Sequence, residues 1–164
     1  MQNKNEIDIE INKTQEEIKN LDNKLQNLYQ KKIADELQKQ EQLYNMLDLT
    51  ANSCYICFPK DSNTGTILCQ GFQIIENVPT RKYFKTNCLK YRCYESDDYS
   101  IVVNEKNIEY TTLNELFENN SVYKIPLNYY KQVISYLVIE LPDITKFHDD
   151  IYNATIKNYV EINI

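Results

Sequence analysis

The sequence predicts a mostly β domain that is preceded by a long helix and followed by a shorter one. Three observations support this fold class: helical periodicity near the N-terminus, a central region of short β-branched and aromatic runs, and a second helical pattern after Pro142. The chain has 164 residues, of which 42% are hydrophobic, enough for one packed domain with an appendage. We therefore predict a helix over residues 1–50 and a domain over residues 51–164.

The N-terminal helix is predicted from about Ile7 to about Leu49, because apolar residues recur on one face. The members of this stripe are Ile7, Ile11, Ile18, Leu21, Leu25, Leu28, Ile33, Leu43 and Leu47. The spacing follows a heptad up to Leu28, with Thr14 at one position, and Lys32 then interrupts it. The pattern favours a straight amphipathic helix packed on another structure over an extended coiled coil.

The central region predicts a small five-stranded barrel. The candidate strands are Thr66–Ile75, Leu89–Tyr94, Tyr99–Val103, Val122–Ile125 and Val133–Glu140. A short helix is predicted over Thr112–Phe117, where Thr112 and Glu115 have the spacing of a capping box. Three strands, a helix and two strands is the element order of an OB-fold, a Greek-key barrel. Gly71, inside the first strand, predicts a bulge or a bend at a barrel corner.

The five cysteines are predicted to be reduced, mostly buried thiols rather than zinc ligands. Cys54 and Cys57 have the spacing of a zinc-binding pair, but Cys88 and Cys93 are spaced differently, and the single histidine lies far along the chain. Reduced thiols are typical of a cytosolic or nuclear protein. The apolar run Cys54–Phe58 is interpreted as an extra strand or a plug at the barrel end. No metal and no cofactor is predicted.

No catalytic motif is recognisable, and we predict a protein that is not an enzyme. Two glycines cannot build a phosphate-binding loop or a dinucleotide fingerprint, and no serine or cysteine has a nucleophile context. His148 is flanked by Asp149 and Asp150 on a helix that looks structural. No apolar run approaches 18 residues, and the polar N-terminus shows no secretory signal, so no membrane association is expected.

One segment, from Pro79 to Tyr94, is basic and contains no acidic residue. Its candidate nucleic-acid-binding residues are Arg81, Lys82, Tyr83, Lys85, Lys90 and Arg92. Cations interleaved with aromatic rings on strands are how OB-folds bind single-stranded DNA. The alternative is an exposed positive sheet face that keeps an edge soluble or meets an acidic partner. The net charge of −6 opposes strong nucleic-acid binding by the isolated chain.

The C-terminal helix is predicted over Asp143–Tyr159 and is apolar on two adjacent faces. A helix that is apolar over this width is usually covered from two directions. We therefore predict a partner-binding surface at this helix, made of Phe147, Ile151, Tyr152, Ile156 and Tyr159. Within it, Phe147 and Ile151 are expected to close the barrel, and the other three to point outward.

The segment Val133–Tyr159 resembles the end of the smallest subunit of the CST telomere complex. In that family a fifth strand runs through a short acidic connection into a helix that closes the barrel. The segment Thr66–Ile74 is similar to the family's first strand, with Gly71 at the family's glycine. The resemblance covers Gly65 to Val160, and the long N-terminal helix has no counterpart in it.

The resemblance implies a non-catalytic subunit that pairs with a larger OB-fold subunit. It further implies a complex that binds telomeric single-stranded DNA and supports complementary-strand synthesis by DNA polymerase α–primase. In ciliates such a trio is attached to the telomerase holoenzyme. The location implied is the nucleus, at chromosome telomeres, and the subunit itself would meet DNA only weakly or through the complex.

A second interpretation is a coiled-coil scaffold or adaptor with a small globular head, as in kinetochore subunits or behind an SH2-like module. Tyr55–Ser62 is similar to the phosphate-binding strand of SH2 domains, and Tyr110–Phe117 to their later helix. Phe58 stands where the phosphotyrosine-binding arginine of that family belongs, so the bidentate phosphate contact would be lost.

Overall fold

A computed structural model describes residues 2–61 and 66–163. Its helices are α1 (Gln2–Met46), α2 (Leu113–Asn119), α3 (Leu127–Glu140), α4 (Ile144–Phe147) and α5 (Asn153–Asn158), and its strands are β1 (Cys54–Pro59), β2 (Ile67–Val78), β3 (Tyr83–Cys93), β4 (Tyr99–Glu109) and β5 (Asn120–Ile125). Short 3₁₀ turns cover Pro79–Arg81 and Tyr110–Thr112, and a π-helical turn covers His148–Tyr152. The chain divides into two compact units, residues 1–41 and 42–164. None of the described helices is both long and apolar enough to cross a membrane.

The two long terminal helical regions confirm the sequence prediction. α1 extends over 45 residues, which corresponds to about 68 Å at the usual helical rise. At the C-terminal end, α4, the π-helical turn and α5 follow one another from Ile144 to Asn158. Asp143 begins this region as an N-cap, because its Oδ1 accepts a 2.8 Å hydrogen bond from the amide of Lys146.

The five strands form one antiparallel sheet in the order β4-β3-β2-β1-β5. The expected closure into an OB-fold barrel is wrong: the sheet is open, with β4 and β5 at its two edges. The outer side of β5 meets the C-terminal segment, where Tyr123 forms a bridge with Glu161 and the Ile162 amide donates to the Val122 carbonyl at 2.8 Å. The described chain as a whole is a mixture of helices and strands rather than mostly β, with more residues in helices than in strands.

The predicted fifth strand, Val133–Glu140, is wrong as well, because these residues belong to α3. The run is rich in β-branched residues, which favours strands when propensity alone is considered. Packing decides for the helix: Tyr130, Val133 and Leu137 return to one face at helical spacing, and all three are buried. The strand that brings the sheet to five is instead β1, Cys54–Pro59, which the sequence analysis interprets only as an extra strand or a plug.

The predicted short helix over Thr112–Phe117 is present as α2, but its capping box is not. Thr112 occupies the N-cap, yet its side chain makes no capping hydrogen bond. Its hydroxyl instead donates to the carbonyl of Glu109 at 2.7 Å. The preceding 3₁₀ turn leads directly into the helix, so Thr112 already has helical backbone angles and cannot present its oxygen to the first turn.

The sheet separates two hydrophobic cores. On one face lies the α3 core, made of Cys54, Ile56, Phe58, Cys69, Leu89, Tyr91, Tyr123, Ile125, Tyr130, Val133, Leu137, Phe147 and Ile151. On the other lies the α2 core, made of Leu43, Leu47, Leu49, Tyr55, Cys57, Phe72, Ile74, Phe84, Tyr110, Leu113, Phe117 and Val122. The alternation of side chains along each strand supplies both cores from the same strands. The result is a sheet with helices on both faces.

Gly71 serves close packing rather than a bend. The register shifts of β2 fall between Ile67 and Cys69 and between Ile74 and Glu76, away from the glycine. A Cβ atom at Gly71 would lie 2.7 Å from Cε2 of Tyr130. That ring is fully buried, and its hydroxyl donates to the Asn87 carbonyl at 3.0 Å, so it has little freedom to move.

We expect Gly71→Ala to lower the free energy of unfolding by about 1–3 kcal/mol, since it overpacks the contact between β2 and α3. The measurement is chemical denaturation at equilibrium. In a Tyr130→Leu background the ring is absent, so the same glycine substitution should cost clearly less. An equal cost in both backgrounds would show that the glycine is required for another reason.

Candidate functional site

The predicted partner surface on the C-terminal helix is largely occupied within the chain. Phe147 and Ile151 are buried in the α3 core, where they pack against the open sheet rather than closing a barrel. Tyr152 is half-buried and packs edge-on against Phe58, with ring centroids 4.9 Å apart, and Tyr159 packs against Tyr129 at 5.0 Å. Of the three residues expected to point outward, only Ile156 is exposed. Binding of a partner at this helix stays a prediction.

The predicted basic surface is divided between several places. Arg81 and Lys82 are exposed at the turn between β2 and β3, and Tyr83 is half-buried. Lys85 forms a 3.1 Å ion pair with Glu76. The remaining two cations, Lys90 and Arg92, lie on the opposite face of β3 from Lys85, because side chains alternate along a strand. The six residues therefore do not form one continuous surface.

Lys90 and Arg92 are joined by a third cation that the sequence prediction missed. Lys106 lies on β4, opposite Thr86 in the register, and it faces the same side of the sheet as Lys90. The predicted strand ends at Val103 and so does not include Lys106. We call Lys90, Arg92 and Lys106 the cation row. None of its members lies within 4 Å of a carboxylate among the described residues, whereas Lys32, Lys85, Lys124 and Lys146 each do.

The electrostatics of the cation row are unfavourable in the isolated chain. Burial lowers the pKa of Lys90, and the nearby charges of Arg92 and Lys106 lower it further. The Nε atom of Arg92 is buried without a hydrogen-bond partner in the described chain. Both features represent an energetic cost that a bound anion would offset.

A groove lies beside the cation row on the same side of the sheet. It has a volume of about 860 Å³ and is lined by Lys106, by Gln70, which pairs with Lys90 across β2 and β3, and by α2. The carboxylates of Glu115 and Glu118 line its α2 wall. The other charged residues of its lining are Lys60, Asp61 and Glu109, so carboxylates outnumber cations in the groove and oppose the binding of a polyanion along its length.

The cysteines cannot form the zinc site that their spacing suggests. Cys54 belongs to the α3 core and Cys57 to the α2 core, so the two thiols lie on opposite faces of β1. Burial raises the pKa of Cys54 to about 11, and it raises the pKa values of Cys57 and Cys69 further. The described residues contain no group of three or more histidine, cysteine or acidic side chains placed to hold a metal ion.

The second candidate surface is the apolar stripe of α1 in the first unit. Its residues Ile7, Ile11, Ile18, Leu21, Leu25 and Leu28 are between 48% and 65% exposed. We call these six residues the α1 seam. The sequence predicts the stripe but also predicts that it is covered. Leu43, near the end of α1, and Leu47, just after it, are buried in the α2 core of the second unit.

No protein-family model, no curated protein and no solved structure matches the chain.

We expect Lys90→Met to stabilise the fold at pH 7, by roughly a few tenths of a kcal/mol, because it removes repulsion within the cation row. The lowered pKa means that the unfolded chain holds this proton more tightly than the native chain. The free energy of unfolding of the wild type should therefore approach that of Lys90→Met as the pH rises through the pKa of Lys90. The measurement is chemical denaturation from neutral to alkaline pH.

The matched control is Lys131→Met, which removes an exposed lysine from α3, away from its last turn and without an acidic residue one turn away, and should leave the stability unchanged. A Lys90→Met variant that is less stable than this control would show that the ammonium makes favourable contacts in the free protein.

Proposed function

We propose that this chain is a non-catalytic adaptor that self-associates through α1 as a coiled coil and carries its second unit as a binding head. The observation that carries the proposal is the exposed α1 seam. Six large aliphatic side chains, each about half exposed, follow one another along one face of a single helix. Contiguous exposed apolar surface of this kind is typical of interaction sites rather than of free monomers.

The spacing of the α1 seam favours another helix as the covering element. From Ile7 to Leu28 the seam positions recur in steps of four and three residues, with Thr14 filling the remaining position. This is the 3.5-residue repeat that keeps one face of a helix in contact with a partner helix along its length. Lys32 ends the regular repeat, so the seam spans about three heptads, which suits a reversible pair.

This function corresponds to the interpretation of the sequence as a coiled-coil adaptor with a small globular head, and it does not require a closed barrel. A chain that self-associates presents two copies of its second unit, and two linked copies bind a multivalent target more tightly than one copy does. The absence of recognisable catalytic motifs in the sequence supports a binding role over an enzymatic one.

A second candidate function is the CST-like role, and the cation row is the observation that favours it. Arg92 and Lys90 lie two residues apart on one face of β3, at a spacing of about 7 Å. The exposed ring of Tyr94 follows at the end of this strand. Regularly spaced cations with an aromatic ring suit a single-stranded nucleic acid. In this case telomeric DNA would be met together with a larger OB-fold subunit, at telomeres in the nucleus and in association with telomerase.

To test the adaptor function, we compare Ile18→Asp with Ile9→Asp by analytical ultracentrifugation. Ile18 belongs to the α1 seam, so the aspartate would be buried without a partner in the pair, and we expect the dimer to dissociate. Ile9 is similarly exposed but lies off the seam, and its substitution should leave the mass unchanged. Circular dichroism checks that both variants fold. A monomeric wild-type chain at micromolar concentration would exclude the proposal.

To test the CST-like role, we measure binding of a telomeric single-stranded oligonucleotide by fluorescence anisotropy at several salt concentrations. The net charge of −6 leads us to expect weak binding by the isolated chain, with a Kd above about 10 μM at physiological salt. Replacing Lys90 and Lys106 with alanine should weaken it further and reduce its salt dependence. An unchanged salt dependence would remove the cation row from DNA binding.

A further inference from the structure

We infer that the partner of the α1 seam is a second copy of this chain and that the two helices run antiparallel. The inference rests on the proposed self-association and adds its orientation. It is carried by the charges that flank the exposed seam, because flanking charges in coiled coils determine which orientation is stable.

An antiparallel pair brings the apolar positions together in a defined register. In this register Ile11 of one helix lies opposite Leu28 of the other, and Ile18 lies opposite Leu21. Thr14 then meets Leu25 rather than another threonine. Each of these layers across the pair therefore contains at least one large aliphatic side chain, and the layers with two lie on both sides of the centre.

The same register places opposite charges across the pair. Ile11 and Ile18 occupy the a position of the heptad, and the residue just before each of them occupies the g position. In antiparallel coiled coils a g residue of one helix faces a g residue of the other. Glu10 then faces Lys31, and Glu17 faces Lys24. Because the pair is symmetric, each contact occurs twice, so attractive contacts flank the seam on both sides of its centre. The other flank pairs Asp8 with Tyr29 and Gln15 with Asp22, so no like charges meet.

In a parallel pair the same flanking residues make less favourable electrostatic contacts. There Glu17 of one helix faces Asp22 of the other, and this repulsion also occurs twice. The attractive contact that a parallel pair offers joins Lys31 to Glu36, beyond the last residue of the α1 seam. The charges therefore oppose the parallel orientation within the seam and favour the antiparallel one.

The orientation fixes where the second units are attached. In the antiparallel register the centre of the pair lies between residues 19 and 20, and the second unit of each chain begins at Gln42. The two Gln42 positions are then at opposite ends of the paired helices, about 68 Å apart along the helix axis. Such a dimer connects two separate targets, whereas a parallel dimer would present both heads to one.

The experiment uses two charge reversals in the full chain, Glu17→Lys and Lys24→Glu, each alone and then mixed. Each variant alone places like charges across the antiparallel pair, and we expect self-association to weaken on the order of tenfold. In a mixed dimer the lysine introduced by the first reversal faces the glutamate introduced by the second, and the native Lys24 of one chain faces the native Glu17 of the other. Mixed dimers should therefore form at least as tightly as the wild-type dimer. The readout is sedimentation equilibrium, with mixed dimers counted by native mass spectrometry.

The outcomes separate this inference from the proposed function. If Glu17→Lys strengthens self-association, the repulsion with Asp22 has been relieved, the helices are parallel, and the inference is wrong while self-association stands. If the two variants show no preference for mixed dimers, the inference is also wrong. If the wild-type chain does not self-associate at all, both fail. The exposed control Lys39→Glu lies past the seam and should change nothing.

Discussion

The fold depends on burying one strand on both of its faces. β1 lies in the interior of the sheet, between β2 and β5, and Cys54 through Phe58 are all buried. Its alternate side chains enter the two cores, with Ile56 in the α3 core and Tyr55 in the α2 core. Each helical layer thus packs on the same short strand. A substitution that disturbs β1 acts on both cores at once, whereas the edge strand β4 supplies no buried residue to either core.

This double burial also explains what can and cannot be predicted from the sequence. A strand with one solvated face alternates between apolar and polar residues, but a strand buried on both faces is a short continuous apolar run. Cys54–Phe58 is therefore ambiguous in the sequence, and Val133–Glu140, which is similarly apolar, takes its place in the predicted sheet. In α3 the solvent-facing positions are themselves apolar, with Val138 and Ile139 exposed, so the helical period is hidden. Assigning Val133–Glu140 as a strand in place of Cys54–Phe58 is therefore enough to turn the open sheet into a predicted barrel.

The candidate surfaces also differ in how far the sequence predicts them, because some depend on local periodicity and others on contacts between residues that are distant in sequence. The α1 seam is visible in the sequence because its periodicity is local, whereas its exposure depends on what the rest of the chain covers. The cation row is visible only in part, because Lys106 reaches Lys90 through strand pairing across a connection of several residues. Tyr152 and Tyr159 form an outward surface on a helical wheel, but Phe58 and Tyr129, distant in sequence, pack against them. Pairings over long sequence separations are what the pattern of a single sequence does not contain.

The edge strand β4 has a consequence for solubility. β5 has its outer side met by the C-terminal segment, but β4 has no further strand beside it among the described residues. Its exposed residues Val102 and Val103 would favour the addition of foreign strands, and Glu105 and Lys106, which follow closely, oppose it through their charge. Growth at a sheet edge has no natural end, since each added strand creates a new edge, whereas pairing of two helices is complete at two chains. If copies of this chain pair through the α1 seam as proposed, the charged residues at the sheet edge and the apolar stripe on the helix together favour an assembly of finite size over fibrils.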